Sequence, residues 1–145
     1  GGIRVPGIME WPHAIDPRTI VDVPCFTSDY FPTITEILGI DLSDYDRPYD
    51  GVNLMPFVRR EVSSRSEPLA FSFQQQEAFM DGKYKIYSAD GGESFALYNL
   101  AIDPGEKQNL SVQQPEIMSR LIGSWKAWKA TVEASSRGED YPENQ

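Results

Sequence analysis

Alternating apolar and polar residues between positions 69 and 100 constrain the fold of this chain more than any other feature. The alternation falls into short runs of the kind that forms half-buried strands: 69–73, 75–80, 83–88 and 95–100. Asp81-Gly82 lies between two of these runs and is a strong signal for a two-residue hairpin turn. Asp90-Gly91-Gly92 turns the chain again. The pattern predicts an antiparallel meander of about four strands.

A helical pattern follows the predicted sheet. Pro115 suits the first turn of a helix, because the N–H that proline lacks has no partner there. The next apolar residues recur on one helix face over about five turns: Ile117, Leu121, Trp125, Trp128 and Val132. Such a stripe is typical of a core-facing helix. We therefore predict an α+β fold with a small antiparallel sheet packed on a long C-terminal helix.

The first part of the chain has a different pattern. The apolar run at 3–11 suggests a strand, although Pro6 would disturb a continuous ladder. Helical spacing of Phe31, Ile34 and Leu38 predicts a helix that begins with an N-cap at Thr27 or Ser28 and stops at Gly39. Residues 41–67 are rich in Asp, Pro, Ser and Arg and are interpreted as a connector. The predicted organisation is thus one part at 1–62 and another at 63–145.

Charge and composition exclude several classes of function. The formal net charge of −9 argues against a nucleic-acid partner, because phosphates require a basic surface. No apolar run approaches the roughly 20 residues that a membrane-spanning helix needs, so no membrane span is predicted. Cys25 is the only cysteine, which excludes an internal disulfide and predicts a small buried side chain.

Residues suited to catalysis or metal binding are scarce. His13 is the only histidine and lies among prolines, so it is expected to be exposed and to belong to neither a zinc site nor an acid–base pair. An acidic cluster at 41–50 does not fit an EF-hand, because Pro48 falls where a ligand is required and Gly51 comes too late. It consists of Asp41, Asp44, Asp46 and Asp50. No catalytic residue and no metal ligand is therefore assigned within the chain.

Six segments in this order resemble type I, formylglycine-dependent sulfatases. They are residues 1–8 (GGIRVPGI), 28–40 (SDYFPTITEILGI), 50–56 (DGVNLMP), 81–85 (DGKYK), 97–100 (LYNL) and 103–110 (DPGEKQNL). Asn53 stands where serine is more usual. The likeness is greatest to the arylsulfatase and N-acetylgalactosamine-6-sulfatase group. It implies the C-terminal part of an alkaline-phosphatase-like α/β enzyme, with 1–62 as the last strand, helix and connector of the large domain and 63–145 as a small subdomain.

The resemblance also implies a chemistry. Such enzymes hydrolyse sulfate esters with a formylglycine made from the first residue of C/S-x-P-x-R, and a bound calcium polarises the sulfate oxygens. Residues 25–29 (CFTSD) lack both fixed positions of that motif, and residues 66–70 (SEPLA) lack the arginine. Formylglycine, calcium ligands and active-site lysine are therefore expected upstream of Gly1. The expected partner is the N-terminal catalytic part of the same protein, and the chain alone is expected to be inactive.

Substrate contact is the function that the resemblance leaves to this chain, since the subdomain of such enzymes lies beside the active-site mouth. Gln74 and Gln76 lie two apart, so a regular strand would present both on one face, and the resemblance implies that their amides could contact a sulfated carbohydrate there. Arg4 is expected near the active site as a structural ion-pair partner. The alternative is a free-standing carbohydrate-binding or interaction module without catalysis. The residues leave the compartment unknown, and by resemblance the periplasm or the extracellular space would suit the parent protein.

Overall fold

A computed structural model describes residues 3–43 and 47–140. They form two compact units, one from residues 3–43 and 49–67 and the other from residues 47–48 and 68–140. The change from the first unit to the second thus falls between Glu67 and Pro68, whereas the division of a parent protein at 62 and 63 stays a prediction. None of the helices in the described ranges is long and apolar enough to span a bilayer.

Helices are the only regular elements of the first unit in its described residues. A 3₁₀ turn at Thr27–Asp29 leads into helix α1, Tyr30–Ile37. The helix ends at Ile37 with Leu38 as its C-cap, and Gly39 follows with a φ of 69°, a left-handed conformation that glycine adopts without strain. The predicted stop at Gly39 is therefore confirmed. The predicted side-chain N-cap is wrong, since the residue before the helix is Asp29, which makes no capping hydrogen bond there.

The predicted strand at 3–11 is wrong, because this segment has no strand and its Ile8 is 99% exposed. Cys25 was expected to be buried and is exposed. The face of α1 also differs from a core face: Phe31, Ile34 and Leu38 are exposed, whereas Pro32, Thr33 and Thr35 are buried. In the described first unit no sheet is present against which these apolar side chains could pack.

The predicted connector contains a short helix, α2, at Met55–Val58. Met55 is fully buried and Phe57 is nearly so. Pro56 lies in the first turn, where its missing N–H has little effect on the helix. The connector is therefore partly an ordered, packed segment rather than an exposed link.

The second unit contains a four-stranded antiparallel sheet in the order β1-β2-β3-β4. Its strands are β1 (Leu69–Phe73), β2 (Gln76–Asp81), β3 (Tyr84–Ser88) and β4 (Ala96–Asn99). The predicted meander is confirmed. The first hairpin turn is Gln74-Gln75, since Phe73 pairs with Gln76.

The second hairpin differs from the prediction by one residue. Asp81 pairs with Tyr84, so the turn is Gly82-Lys83 rather than Asp81-Gly82. Gly82 has a φ of 57°, which explains why glycine suits the first position of this turn. The composition of the turn was recognised correctly, but the register was set by which side chains of β2 and β3 are buried.

Helix α3, Pro115–Ser136, packs on one face of the sheet. Pro115 begins it, as predicted. The shared core contains Phe79, Ile86, Leu97, Leu110, Leu121 and Trp125. Of the predicted helical stripe, Leu121 and Trp125 are buried and Ile117 and Trp128 pack partly buried against the core. The sheet and this helix confirm the α+β fold class.

Candidate functional site

Asp29 is the most enclosed charged group of the first unit, with no exposed surface. Its carboxylate accepts hydrogen bonds from the backbone N–H of Phe26 at 2.9 Å and of Val52 at 2.8 Å. Both guanidinium NH groups of Arg65 donate to its two oxygens at 2.9 Å. A paired and fully hydrogen-bonded carboxylate is the arrangement that makes a buried charge tolerable. Asp29 therefore holds the first unit together.

Arg65 makes further contacts within the first unit besides those with Asp29. Its Nε donates to the carbonyl of Glu67 at 2.8 Å, and its guanidinium lies 5.0 Å from the ring centre of Phe26. The side chain of Arg65 is 5% exposed. With both planar edges of the guanidinium occupied, this arginine is unsuited to binding a sulfate ion.

Two of the segments that resemble sulfatases meet at the same place. A Cβ on Gly51 would lie 2.0 Å from the carbonyl oxygen of Ser28, so only glycine fits there. Nearby, the hydroxyl of Thr33 donates to the carbonyl of Asp29 at 2.6 Å and accepts from the N–H of Leu54 at 2.9 Å. Segments 28–40 and 50–56 thus fold against each other through a close backbone approach and hydrogen bonds between the Thr33 hydroxyl and the backbone.

In the second unit, Lys85 and Glu106 connect two further segments of that resemblance. The Nζ of Lys85 lies 2.8 Å from each carboxylate oxygen of Glu106, and the lysine side chain is 5% exposed. Burial raises the pKa of Glu106, whereas the hydrogen bond and charge of Lys85 lower it, and the net pKa lies below its ordinary value. Burial and the charges of Glu106 and Asp103 raise the pKa of the neighbouring Tyr98.

The last segment covers the edge of β4. The side-chain oxygen of Asn109 accepts from the N–H of Leu97 at 3.0 Å, and the N–H of Leu110 donates to the carbonyl of Leu97 at 2.8 Å. The carboxylate of Asp103 stabilises the turn that precedes Asn109, because it accepts hydrogen bonds from the N–H groups of Lys107 and Gln108, each at 2.8 Å. These residues protect part of an otherwise open sheet edge.

A polar cluster lies between the sheet and α3. Glu77 is 2% exposed, and its Oε1 contacts the Nζ of Lys129 at 2.6 Å and accepts from the hydroxyl of Ser72 at 2.9 Å. Trp125 Nε1 donates to the other oxygen at 3.4 Å. The Nζ of Lys129 also donates to the hydroxyl of Ser72 at 2.8 Å, so all three polar side chains are engaged with one another. The cluster anchors the helix on the sheet.

The predicted substrate contacts lie at one end of the sheet. Gln74 occupies the β1–β2 turn with a φ of 55°, and Gln76 is the first residue of β2; both are exposed. The assumption that a regular strand presents both amides on one face is therefore wrong. Their role stays a prediction. Arg4 and His13 are exposed, and neither lies at an ion-paired site in the described residues.

Over residues 3–43 and 47–140, no three His, Cys, Asp or Glu side chains group as metal ligands. Of the acidic cluster, Asp44 and Asp46 lie outside the described residues, as do Gly1 and Gly2. The buried carboxylates do not fit calcium, because Asp29 and Glu77 are already paired with Arg65 and Lys129.

The sequence did not reveal the ion pairs that organise both units. Asp29, Arg65 and Glu77 are not among the residues that the sequence marks as functional. Their partners lie 36 and 52 residues away in the chain, so no local pattern marks them. The one usable signal was a charged residue at a strand position on the core-facing side, as at Glu77.

Comparison with known proteins relates the chain to sulfatases. A sulfatase of Formosa agariphila is 28% identical over 88% of the chain and 27% of its own length. Human steryl-sulfatase is 38% identical over 56% of the chain and 13% of its own length. The chain thus spans about a quarter or less of these relatives. No protein-family model matches it.

Solved structures share the fold at low sequence identity. Ps i-CgsB has a TM-score of 0.68 over 81% of the chain and 27% of its own, at 20% identity. It has also been solved with k-i-k-neocarrahexaose, with a TM-score of 0.57 over 69% of the chain and 23% of its own, at 20% identity. The putative sulfatase yidJ from Bacteroides fragilis has a TM-score of 0.60 over 81% and 27%, at 20% identity. The chain is thus similar in sequence to part of several sulfatases, and the solved structures share its fold.

Proposed function

We propose that the chain is the C-terminal part of a type I sulfatase, of the arylsulfatase and N-acetylgalactosamine-6-sulfatase group, that hydrolyses sulfate esters of sugars. The similarity to the Formosa agariphila sulfatase over 88% of the chain carries this proposal, since it continues through both units. The complex of Ps i-CgsB with k-i-k-neocarrahexaose supports a sugar as the substrate class.

In this proposal the reacting groups belong to the N-terminal part of the same protein. That part would supply the formylglycine nucleophile and the ligands of a calcium ion, which when bound would polarise the sulfate oxygens. The state of this chain's own acids supports the division: Asp29 and Glu77 are occupied by ion pairs, and His13 is exposed. The segments of sulfatase likeness then serve to shape and stabilise the part that flanks the active site.

The apolar surface of α1 supports docking of that N-terminal part. Phe31, Ile34 and Leu38 are 39%, 53% and 66% exposed, an unusual state for neighbouring apolar residues of one helix. Burying them against a large domain would be favourable at roughly 25 cal/mol per Å² of apolar surface. Arg4 would lie on the same unit as a structural group rather than a sulfate ligand.

Substrate contact is proposed for Gln74 and Gln76, whose amides suit sugar hydroxyl groups. The turn that carries Gln74 is fixed, because the carbonyl of Gln75 accepts from the N–H of Gly91 at 2.7 Å. A second candidate function, a carbohydrate-binding module without catalysis, is favoured by the 69% exposure of Phe73 beside these amides.

Release of nitrophenol from nitrophenyl sulfate tests the proposal. The chain alone should give no turnover, with or without calcium. Turnover should appear when the chain is joined to its preceding sequence, and this sequence should contain a C/S-x-P-x-R motif. Replacing the first residue of that motif by alanine provides the control. Turnover by the chain alone, or none by the joined protein, would contradict the division of roles.

A further inference from the structure

The strongest feature outside the ion-paired clusters is a group of side chains at the β1–β2 end of the sheet. Phe73 is the last residue of β1 and pairs directly with Gln76, the first residue of β2. Directly paired residues point to the same face of a sheet. Phe73 is 69% exposed, and Gln76 is exposed as well. A large aromatic ring and an amide therefore stand side by side on the surface.

Tyr87 of β3 extends this group on the same face. Its hydroxyl donates to the side-chain oxygen of Gln76 at 3.4 Å. Because the oxygen of the amide is turned toward Tyr87, the NH₂ group of Gln76 offers two donors to an incoming molecule. Hydroxyl and sulfate oxygens of a sugar are acceptors that such donors can bind.

The scaffold beneath these residues is fixed. The N–H of Gly91 donates to the carbonyl of Gln75, and Gly92 lies so close to Trp125 that a Cβ there would be 2.3 Å from the indole ring. Gln74 holds a left-handed φ of 55°, a conformation that is costly for a residue other than glycine. The exposed side chains therefore lie beside a turn that is hydrogen-bonded to the loop at Gly91.

Local charge is compatible with a sulfated ligand despite the net charge of −9. Glu77, the next residue on β2, points to the opposite face and is paired with Lys129. Lys85 and Glu106 neutralise each other. No unpaired carboxylate of β1, β2 or β3 thus shares the face of Phe73 and Gln76.

We propose that Phe73, Gln76 and Tyr87 form a carbohydrate-binding patch, in which the Phe73 ring supports the C–H face of a sugar and Gln76 donates hydrogen bonds to its oxygens. The hydrogens of C–H groups carry a small positive charge and are attracted to the negative face of an aromatic ring. The inference rests on the proposed function and deepens it, because it makes Phe73 the main contact and reduces Gln74 to shaping the turn.

Titration of the isotope-labelled chain with neocarrahexaose, followed by NMR of backbone amides, tests this patch directly. Amide signals of residues 73–76 and of Tyr87 should shift on addition of the sugar. Phe73→Ala should weaken binding by about tenfold, and Gln76→Ala by about 2- to 10-fold. Val112→Ala is the matched control, because Val112 is 87% exposed on the same unit but far along the chain from the patch.

A charged substitution at Gln76 provides a second test of the patch. Gln76→Glu keeps the size of the side chain but places a carboxylate in the patch, so it should weaken binding of the sulfated sugar more than of its desulfated form. Absence of shifts at the patch, or equal affinity of the Phe73→Ala and Val112→Ala variants, would overturn the proposal. Sugar binding by the chain together with an inactive joined protein would instead refute the sulfatase proposal and leave the patch standing.

Discussion

The guanidinium of Arg65 contacts both carboxylate oxygens of Asp29 at 2.9 Å, although the two residues lie 36 positions apart. One belongs to the segment before α1 and the other to the end of the predicted connector. The pair closes this part of the chain around a buried charge.

Asp29→Asn should strongly destabilise the first unit. The variant keeps the shape of the side chain but removes the charge and brings an NH₂ group against the donors of Arg65, Phe26 or Val52. Breaking a buried pair in this way costs about 3–5 kcal/mol. Urea denaturation followed by amide NMR of the first unit measures the change. The exposed Asp22 provides the control, and equal stability of Asp22→Asn and Asp29→Asn would contradict the expectation.

Gly51→Ala should also destabilise the first unit, for a steric reason. The added Cβ would lie 2.0 Å from the carbonyl oxygen of Ser28, so the backbone of one segment must move. Overpacking of this kind costs about 1–3 kcal/mol or more. Gly7→Ala adds the same methyl group where nothing lies within 4 Å. Thermal unfolding of both variants should show a lower midpoint for Gly51→Ala alone.

Two ion pairs of the second unit should differ sharply in how much free energy of unfolding is lost when their acidic residue is replaced by its amide. Glu77→Gln leaves Lys129 without its buried partner, and we expect a loss of about 3–5 kcal/mol. Asp81→Asn removes the partner of Arg120 at the surface, where both side chains are well exposed, and we expect about 0–1 kcal/mol. Guanidinium denaturation followed by tryptophan fluorescence compares the two. Similar losses would show that burial does not control these pairs.

Lowering the pH should remove the contribution of Glu106 to the stability of the folded chain. Because Lys85 lowers the pKa of Glu106 in the folded chain, its stabilisation is complete above the ordinary value of 4.5 and is lost as pH falls through the lower folded value. The stability difference between the parent chain and Glu106→Gln should be constant near neutral pH and shrink below about pH 4.5. Glu93→Gln, at an exposed site, is the control. A difference that grows toward low pH would have the wrong sign.

Sequence periodicity predicted correctly those elements whose own residues carry the amphipathic pattern. The alternation at 69–73 and the apolar stripe after Pro115 each encode an amphipathic surface, and the sheet and α3 followed from them. The hairpin after β2 was recognised from Gly82, but its register was missed by one residue. Register depends on which face of each strand is buried. Burial of a face is determined by packing between strands and not by the sequence of one strand.

The sequence by itself determined the α+β class, the four strands of the meander, the long helix and the likeness to sulfatases, because periodic apolar residues and short turn motifs act over a few neighbours. Tertiary structure decided the rest. It joined Asp29 to Arg65 and Glu77 to Lys129, moved Gln74 into a turn, and exposed the apolar face of α1 and Phe73. A buried charge is stable only beside a partner that neutralises it, and only the folded chain brings such distant partners together.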